Sequence, residues 1–421
     1  MTPNIIAILI IAGALVLYLF PKIPVWVTTV LAALAMVYFG ILDFGGAFAG
    51  FGNAATLLII GMMIMGQACF TTGLADRLSK MAGRFAKSEK IFVMALLIVG
   101  TVLAMFLNGA LVVPLLMAVA NVTIKNSNGA ITRKGTYMPI AFASVLGNNL
   151  TAISASSMVS AASIIVAAGY KQLGMFEVTA ITLPGVLLFY LFYWFYGHKL
   201  SHKVFDFPEI PLDDGGSSAD GEKVYPVWKQ VLTVAVFVVV VVAIARGGNF
   251  GQWSLMGACV LILSGCISAK EAIKAVDWPT YIIASAALGM AAGMNSSGGG
   301  ATIAEFITGI CGPLSQNPWG MCIVMFIIAT LLTQVMSDGA TVAIVVPIGL
   351  AMAQAMGWDA IPIAISAAAG AKVGLATPIC VSCMTMVAPA GYRFKDYFVI
   401  GGIQNVIQLL ATAVMLKIVY F

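Results

Sequence analysis

Twelve long apolar runs make up most of the chain. A transmembrane helix needs about 20 mostly apolar residues, and most of the runs approach or exceed that length. They lie near residues 4–20, 25–42, 54–71, 91–121, 137–169, 177–198, 228–246, 253–268, 278–295, 319–356, 359–391 and 397–419. Charged residues are only 9% of the chain, against about 25% in a typical soluble protein. The pattern predicts an all-α polytopic membrane protein and excludes a soluble enzyme or a nucleic-acid-binding protein.

Four of the runs are too long for one simple crossing and carry polar or glycine residues near their middle. They are 91–121, 137–169, 319–356 and 359–391, and we expect helices to end near Gly109, Gly147, Gly339 and Gly370. Irregular backbone at membrane depth is tolerated only where it is buried in protein or lines a wet cavity. The sequence therefore predicts four interrupted helices gathered around a polar site.

The basic residues indicate how the runs are threaded through the membrane, because basic loops stay in the cytoplasm. If 91–121 and 319–356 are re-entrant hairpins and the other ten runs cross, 17 of the 21 Lys and Arg residues lie on one side. Crossing hairpins would place the basic loops around 73–90 and 122–136 on opposite sides. We therefore expect ten crossings and two hairpins in a multi-pass protein of the cell membrane.

The chain divides into two halves around a hydrophilic stretch. Residues 1–198 form the first half, 199–227 a cytoplasmic linker and 228–421 the second half. Each half contains five crossings and one hairpin. Because five is odd, the two halves are expected to have inverted orientations.

Three pairs of segments support an internal repeat, the weakest being residues 69–80 against 293–306. Residues 107–116 (LNGALVVPLL) match 337–350 (SDGATVAIVVPIGL). Residues 139–157 match 362–380, with a shared P-I-A and a glycine eight residues after its proline. The matches keep their order along the chain. Inverted repeats with broken segments in corresponding places are typical of secondary transporters, with the binding site at the breaks.

Two ionisable residues, Asp338 and Lys372, fall inside predicted membrane segments, where charges are costly and usually functional. In the repeat alignment their counterparts are Asn108 and Asn149. In one hypothesis the two charges pair, and the ammonium replaces the cation of a second sodium site. In another, Lys372 contacts an anionic substrate and Asp338 handles a proton or sodium. A purely stabilising ion pair is the third alternative.

These segments resemble the divalent-anion/sodium symporter family of the ion-transporter superfamily. The family's hairpin tips read Ser-Asn-Thr, and here residues 107–109 and 337–339 read LNG and SDG. Its broken helices read T-L-I-G-T-P-P-N and A-T-P-P-N, and the counterparts here are residues 151–158 and the A-T-P at 376–378. The resemblance implies an elevator-type transporter with scaffold and transport domains, assembled as a homodimer.

The resemblance also implies particular binding residues. Substrate contacts would come from the hairpin tips and broken helices: Asn108, Gly109, Thr151, Ser154, Ser337, Asp338, Gly339, Lys372, Thr377 and Pro378. Sodium ligands would come from Asn108, Gly147, Asn149, Asp338 and Ala376, with Lys372 replacing the second sodium as one alternative.

The expected function is secondary active transport of a small divalent organic anion, either a C4-dicarboxylate or a keto-dicarboxylate. Transport would be sodium-coupled symport or anion exchange. The alternatives are a carrier for an inorganic oxyanion, sulfate or arsenite, and a sodium/proton antiporter of the same superfamily. An enzyme is not expected, because the membrane segments contain no paired carboxylates and no His cluster.

Overall fold

The computed structural model describes residues 2–18, 22–73, 88–127, 129–209, 226–311, 316–378 and 381–421. In these ranges every regular element is helical. The predicted all-α class is therefore confirmed.

The described residues of the first half form ten α-helices. They are α1 (Pro3–Tyr18), α2 (Val25–Tyr38), α3 (Phe44–Phe48), α4 (Ala54–Thr71), α5 (Glu89–Ala104), α6 (Gly109–Asn126), α7 (Arg133–Asn148), α8 (Ser156–Ala167), α9 (Glu177–Phe192) and α10 (His198–Val204). A single π-helical turn, Tyr193–Gly197, joins α9 to α10. The first residues of the predicted linker, 199–204, are thus helical, whereas residues 210–225 lie outside the described ranges.

Eleven α-helices lie in the described part of the second half. They are α11 (Val227–Ala245), α12 (Phe250–Leu263), α13 (Ala269–Ala275), α14 (Trp278–Ser297), α15 (Gly299–Cys311), α16 (Pro318–Thr333), α17 (Asp338–Met356), α18 (Ala360–Ala371), α19 (Ser382–Met386), α20 (Phe394–Asp396) and α21 (Gly402–Tyr420). A second π-helical turn, Tyr397–Gly401, precedes α21, so both halves have such a turn beside a long helix.

All four predicted interruptions are confirmed. The helices stop between α5 and α6, between α7 and α8, between α16 and α17, and between α18 and α19. The non-helical residues at the four gaps are 105–108, 149–155, 334–337 and, in the last gap, 372–378 and 381. Each predicted glycine lies within two residues of a helix end.

Two of these glycines have a packing role that the sequence alone did not indicate. A Cβ at Gly147 would clash with the backbone carbonyl of Thr101 in α5, and a Cβ at Gly370 would clash with that of Phe326 in α16. Both glycines are buried inside the last turn of their helix. Their small size allows α7 and α18 to lie directly against the neighbouring helices α5 and α16.

The breaks of the two halves meet in the interior. Helices α5, α6 and α7 share one apolar core with α19, and α8, α16, α17 and α18 share another. Helix α8 of the first half packs against α14, α17 and α18 of the second half. This interlocking brings the ends of the broken helices together in one region.

Six helical segments are long and apolar enough to cross a membrane, by length and composition, among the described residues. Six further apolar helices are shorter, at 10–17 residues. The protein is therefore a multi-pass membrane protein. The count of ten crossings, the re-entrant hairpins and the inverted repeat stay predictions from the sequence.

Candidate functional site

A polar cavity of about 130 Å³ lies where the broken helices meet. A single water needs only about 10–15 Å³ of such space, so the cavity can hold a small ion or molecule. The side chains around it come from both halves: Asn108, Ala110, Asn148, Ala155, Asp277, Thr280, Asp338, Lys372, Val381, Ser382 and Cys383.

An ion pair forms one wall of the cavity. The Nζ of Lys372 lies 2.5 Å from Oδ2 of Asp338, and the Oγ of Ser157 donates to the same oxygen at 3.1 Å. The other carboxylate oxygen, Oδ1, accepts the N–H of Gly339 at 2.8 Å. The Lys372 side chain is only 3% exposed, whereas that of Asp338 is 24% exposed towards the cavity.

Helix ends favour both members of this pair. Asp338 is the first residue of α17, where the helix dipole stabilises a negative charge. Lys372 is the C-terminal cap of α18, where the dipole stabilises a positive charge. Each charge is therefore stabilised by the dipole of its own helix as well as by its partner.

Two threonines tie the gaps after α7 and α18 to the turns that precede α6 and α17. Thr151 Oγ1 donates to the carbonyl of Met105 at 2.6 Å, and Thr377 Oγ1 donates to the carbonyl of Gln334 at 2.8 Å. Met105 and Gln334 each stand three residues before the N-terminal cap of the following helix. The two halves thus stabilise their exposed backbone with the same contact.

The side chain of Gln334 provides further support in the second half. Its Nε2 donates to the carbonyl of Val373 at 3.1 Å, and its Oε1 accepts the N–H of Ala376 at 3.2 Å. In the first half, the Oγ of Ser154 donates to the carbonyl of Asn148 at 3.0 Å. These contacts satisfy backbone groups that the broken helices leave open, as burial in a membrane protein requires.

Two neighbouring asparagines stand at the end of α7. With its amide oriented to match its neighbours, Asn148 donates to the carbonyls of Ala104 and Leu107 and accepts the N–H of Gly109. Asn149 donates from Nδ2 to the carbonyl of Ala369 at 3.4 Å, which connects the two halves. The Oδ1 of Asn149 is buried and has no hydrogen-bond partner among the described residues.

The structure brings three of the predicted site residues to the cavity wall: Asn108, Asp338 and Lys372. Thr151, Ser154 and Thr377 direct their hydroxyls to backbone carbonyls instead. Ser337 caps α17 by accepting the N–H of Ala340, and Gly109 and Gly339 lie in the first turns of α6 and α17. Gly147, Ala376 and Pro378 lie at or beside the gaps.

Asp277 and Thr280 are among the cavity residues that were not predicted from the sequence. Asp277 caps the start of α14 by accepting the N–H of Thr280, and both side chains line the cavity. The D-x-x-T pattern indicates a helix cap, but it does not indicate which distant element the cap faces. Only the packing of α14 against α8 and α17 explains their position.

A family model described as a citrate transporter matches residues 9–370, which is most of the chain. The chain belongs to the citrate transporter family. This is a family of transporters and not of enzymes, and it agrees with the resemblance to divalent-anion/sodium symporters. The expectation that the protein is not an enzyme is therefore confirmed at the level of the family.

Individual relatives match a shorter region. An uncharacterized transporter of Synechocystis sp. (sll0640) is 29% identical over 168 residues, 40% of this chain and 27% of the relative. Sodium/sulfate cotransporter 2 of Chlamydomonas reinhardtii is 27% identical over 149 residues, 35% of this chain and 17% of the relative. The matched regions thus span about a quarter or less of the length of these relatives.

A solved structure shares the fold over nearly the whole chain. The YdaH transporter of Alcanivorax borkumensis, whose structure is described as revealing an unusual topology, superposes with a TM-score of 0.64. The superposition covers 91% of this citrate transporter family member and 88% of the other chain, at 14% sequence identity. The similarity supports the fold alone.

Proposed function

We propose that this protein is a secondary active transporter of small divalent organic anions, driven by sodium or by anion exchange. The observation that carries the proposal is the pair of Lys372 and Asp338 beside a polar cavity in a citrate transporter family member. Membership of that family favours a carboxylate as the transported group.

Helix ends at the cavity support an anionic substrate. Helices α6 and α17 begin there, at the caps Asn108 and Ser337, and α8 begins beside them with Ser157 bonded to Asp338. Helix N-termini carry partial positive charge and unsatisfied N–H groups, which together favour carboxylate or oxyanion binding. Lys372 adds a full positive charge to the same wall.

The charges of the cavity also support a co-transported cation. Lys372 is opposed by two carboxylates, Asp338 and Asp277, so the formal charge of the lining side chains is negative. A dianion entering alone would meet this excess of negative charge. A sodium ion entering with the anion would offset it, as the names of the sodium/sulfate relatives suggest for those proteins.

We place sodium at the first break, with the buried and unpartnered Oδ1 of Asn149 as one of its oxygen ligands. At the second break, both oxygens of Asp338 are already engaged by Lys372, Ser157 and Gly339. The ammonium of Lys372 therefore takes the place of a second sodium. This is the arrangement expected of a carrier that moves fewer cations for each anion.

The cavity reaches Asp277, which is exposed and follows the short helix α13 with Lys270 and Lys274. The charge rule places this basic face in the cytoplasm. We infer that the conformation is open to the cytoplasm, and that the helices around the breaks move as a transport domain within a homodimer. Alternating access by such an elevator motion follows from the proposed inverted repeat.

An inorganic oxyanion such as sulfate is the second candidate, because three Chlamydomonas relatives are named as sodium/sulfate cotransporters. The same helix N-termini and Lys372 would bind it. A sodium/proton antiporter is less favoured, since such a carrier has no need of the positive charge that Lys372 places beside Asp338.

Uptake into proteoliposomes tests the proposal. Purified protein is reconstituted, and uptake of labelled succinate, citrate, 2-oxoglutarate, sulfate and arsenite is measured with and without an inward sodium gradient and with unlabelled anion inside. Sodium-stimulated or exchange-dependent uptake of an organic dianion is the expected result. Uptake of sulfate or arsenite only, or of none of the five, would contradict the organic-anion proposal.

A further inference from the structure

The chain contains only two histidines, His198 and His202, and the structure brings both to one carboxylate. They are four residues apart on α10, so they lie on the same face of the helix. Glu89, the first residue of α5, faces them. One ligand atom from each of the three side chains lies within 4.8 Å of the other two.

The two histidines lie at different distances from the carboxylate of Glu89. The Nε2 of His202 lies 2.8 Å from Oε2 of Glu89, whereas the Nε2 of His198 lies 3.9 Å from the same oxygen. His198 Nε2 is buried and makes no hydrogen bond among the described residues. A buried ring nitrogen that faces a carboxylate and a second imidazole but bonds to neither remains available to bind an ion.

Two hydrogen bonds from Thr132 fix the orientation of the Glu89 carboxylate. Its Oε1 accepts both the backbone N–H of Thr132 at 3.0 Å and the Oγ1 hydroxyl of the same residue at 2.5 Å. A Cβ at Gly135 would clash with this oxygen, so the glycine leaves the room that the carboxylate occupies. Metal-binding carboxylates are typically oriented by such outer hydrogen bonds, which leave the second oxygen for the ion.

We propose that Glu89, His198 and His202 form a binding site for a divalent transition-metal ion, with zinc the best fit. Two imidazole nitrogens and one carboxylate oxygen, with a water in the fourth position, are an established zinc ligand set. Imidazole ligands favour zinc, copper or nickel over magnesium and calcium, which prefer oxygen. At ordinary zinc bond lengths, tetrahedral ligand atoms lie about 3.3 Å apart. His198 Nε2 would therefore move closer to Oε2 of Glu89, and His202 Nε2 would move slightly away from it.

The position of the site means that a bound metal would link three helices of the first half. It joins α10 to the first turn of α5 and, through Thr132, to the start of α7. The ammonium of Lys90, the next residue after Glu89, packs over the Trp194 ring at 4.1 Å from its centre. Bound metal therefore fixes the cytoplasmic end of α9–α10 against the helices that carry the first break.

The test uses full-length protein in detergent, with any purification tag removed and metal stripped by a chelator. Zinc binding is measured by isothermal titration calorimetry, and cobalt is used as a visible-absorption probe of tetrahedral coordination. We expect one zinc per chain, a tetrahedral cobalt spectrum and an upward shift of Tm with zinc. The H198N/H202N variant should lose the binding and the Tm shift.

Two further variants separate this site from other metal-binding groups. Thr132→Ala should weaken zinc binding about 10–100-fold through loss of the hydroxyl hydrogen bond to Glu89, and Thr132→Ser should restore it. Cys259→Ser, which removes an exposed thiol far from the cluster in sequence, should bind zinc as the wild type does. Equal zinc binding by the wild type and H198N/H202N, or no binding by the wild type at micromolar zinc, would overturn the proposal.

Discussion

Asn149 and Lys372 are the C-terminal caps of the two interrupted helices α7 and α18, so a neutral amide in one half stands where an ammonium stands in the other. The backbone N–H of each bonds to carbonyls two and three residues earlier. This agrees with the sequence alignment, which pairs the same two residues. Because of this difference in charge, we propose a sodium ion beside Asn149 at the first break, whereas the ammonium of Lys372 takes the equivalent place at the second break.

The ion pair should be more important for function than for folding. Lys372→Met alone leaves Asp338 charged without its partner, and we expect a loss of roughly 3 kcal/mol in stability, the lower end of the range for a buried pair because Asp338 borders the cavity. The double variant K372M/D338N removes both charges and should regain most of that stability. Thermal unfolding in detergent measures both. An equal loss in the single and double variants would contradict this account.

Asn149 should control the sodium dependence of transport. Asn149→Ala removes the buried Oδ1, and we expect the sodium concentration for half-maximal uptake to rise about tenfold, equivalent to ~1.4 kcal/mol. Asn149→Asp retains the oxygen and should keep sodium activation. Uptake measured across a sodium titration checks this. An unchanged sodium titration in Asn149→Ala would place sodium elsewhere.

The two threonine tethers should stabilise the gaps. Thr151→Val and Thr377→Val each leave a carbonyl, of Met105 or Gln334, without its hydroxyl donor, and should cost about 1–3 kcal/mol. Thr151→Ser and Thr377→Ser retain the hydroxyl and should remain near wild-type stability. The Tm values of the four variants measure how much each hydroxyl hydrogen bond contributes to stability. Equal Tm values for a valine and a serine variant would show that the bond contributes nothing.

Gly147 and Gly370 should not tolerate alanine. In each case the added Cβ would meet a backbone carbonyl of a neighbouring helix, and overpacking of this kind costs about 1–3 kcal/mol. Gly13→Ala is the matched control, because a Cβ there meets nothing within 4 Å. Expression and Tm of the three variants test the prediction. A wild-type Tm for Gly147→Ala would mean that the α5–α7 contact is looser than described.

Much of this fold could be predicted from the sequence, because the length and polarity of an apolar run determine where a membrane helix begins and ends. The over-long apolar runs indicated all four breaks, and the intramembrane charges indicated Asp338 and Lys372. One detail differed. The sequence alignment paired Asn108 with Asp338, whereas the helix caps pair Asn108 with Ser337, one residue earlier.

Other features depended on packing between distant elements and could not be predicted. Asp277 reaches the cavity only because α14 packs beside α8 and α17. Likewise, nothing in the sequence indicates that the hydroxyls of Thr151 and Thr377 bond to a backbone carbonyl rather than to a ligand. His198 and His202 meet Glu89 across more than 100 residues of chain, and no local pattern reports such a contact.

The central claim is that the ion pair of Lys372 and Asp338 forms part of the transport site. Uptake of the organic dianion that the wild type carries, measured in proteoliposomes containing K372M/D338N, tests it most directly. The variant should unfold near the wild-type temperature and show no uptake above empty liposomes. Uptake at the wild-type rate by this folded variant would contradict the claim and reduce the pair to a structural contact.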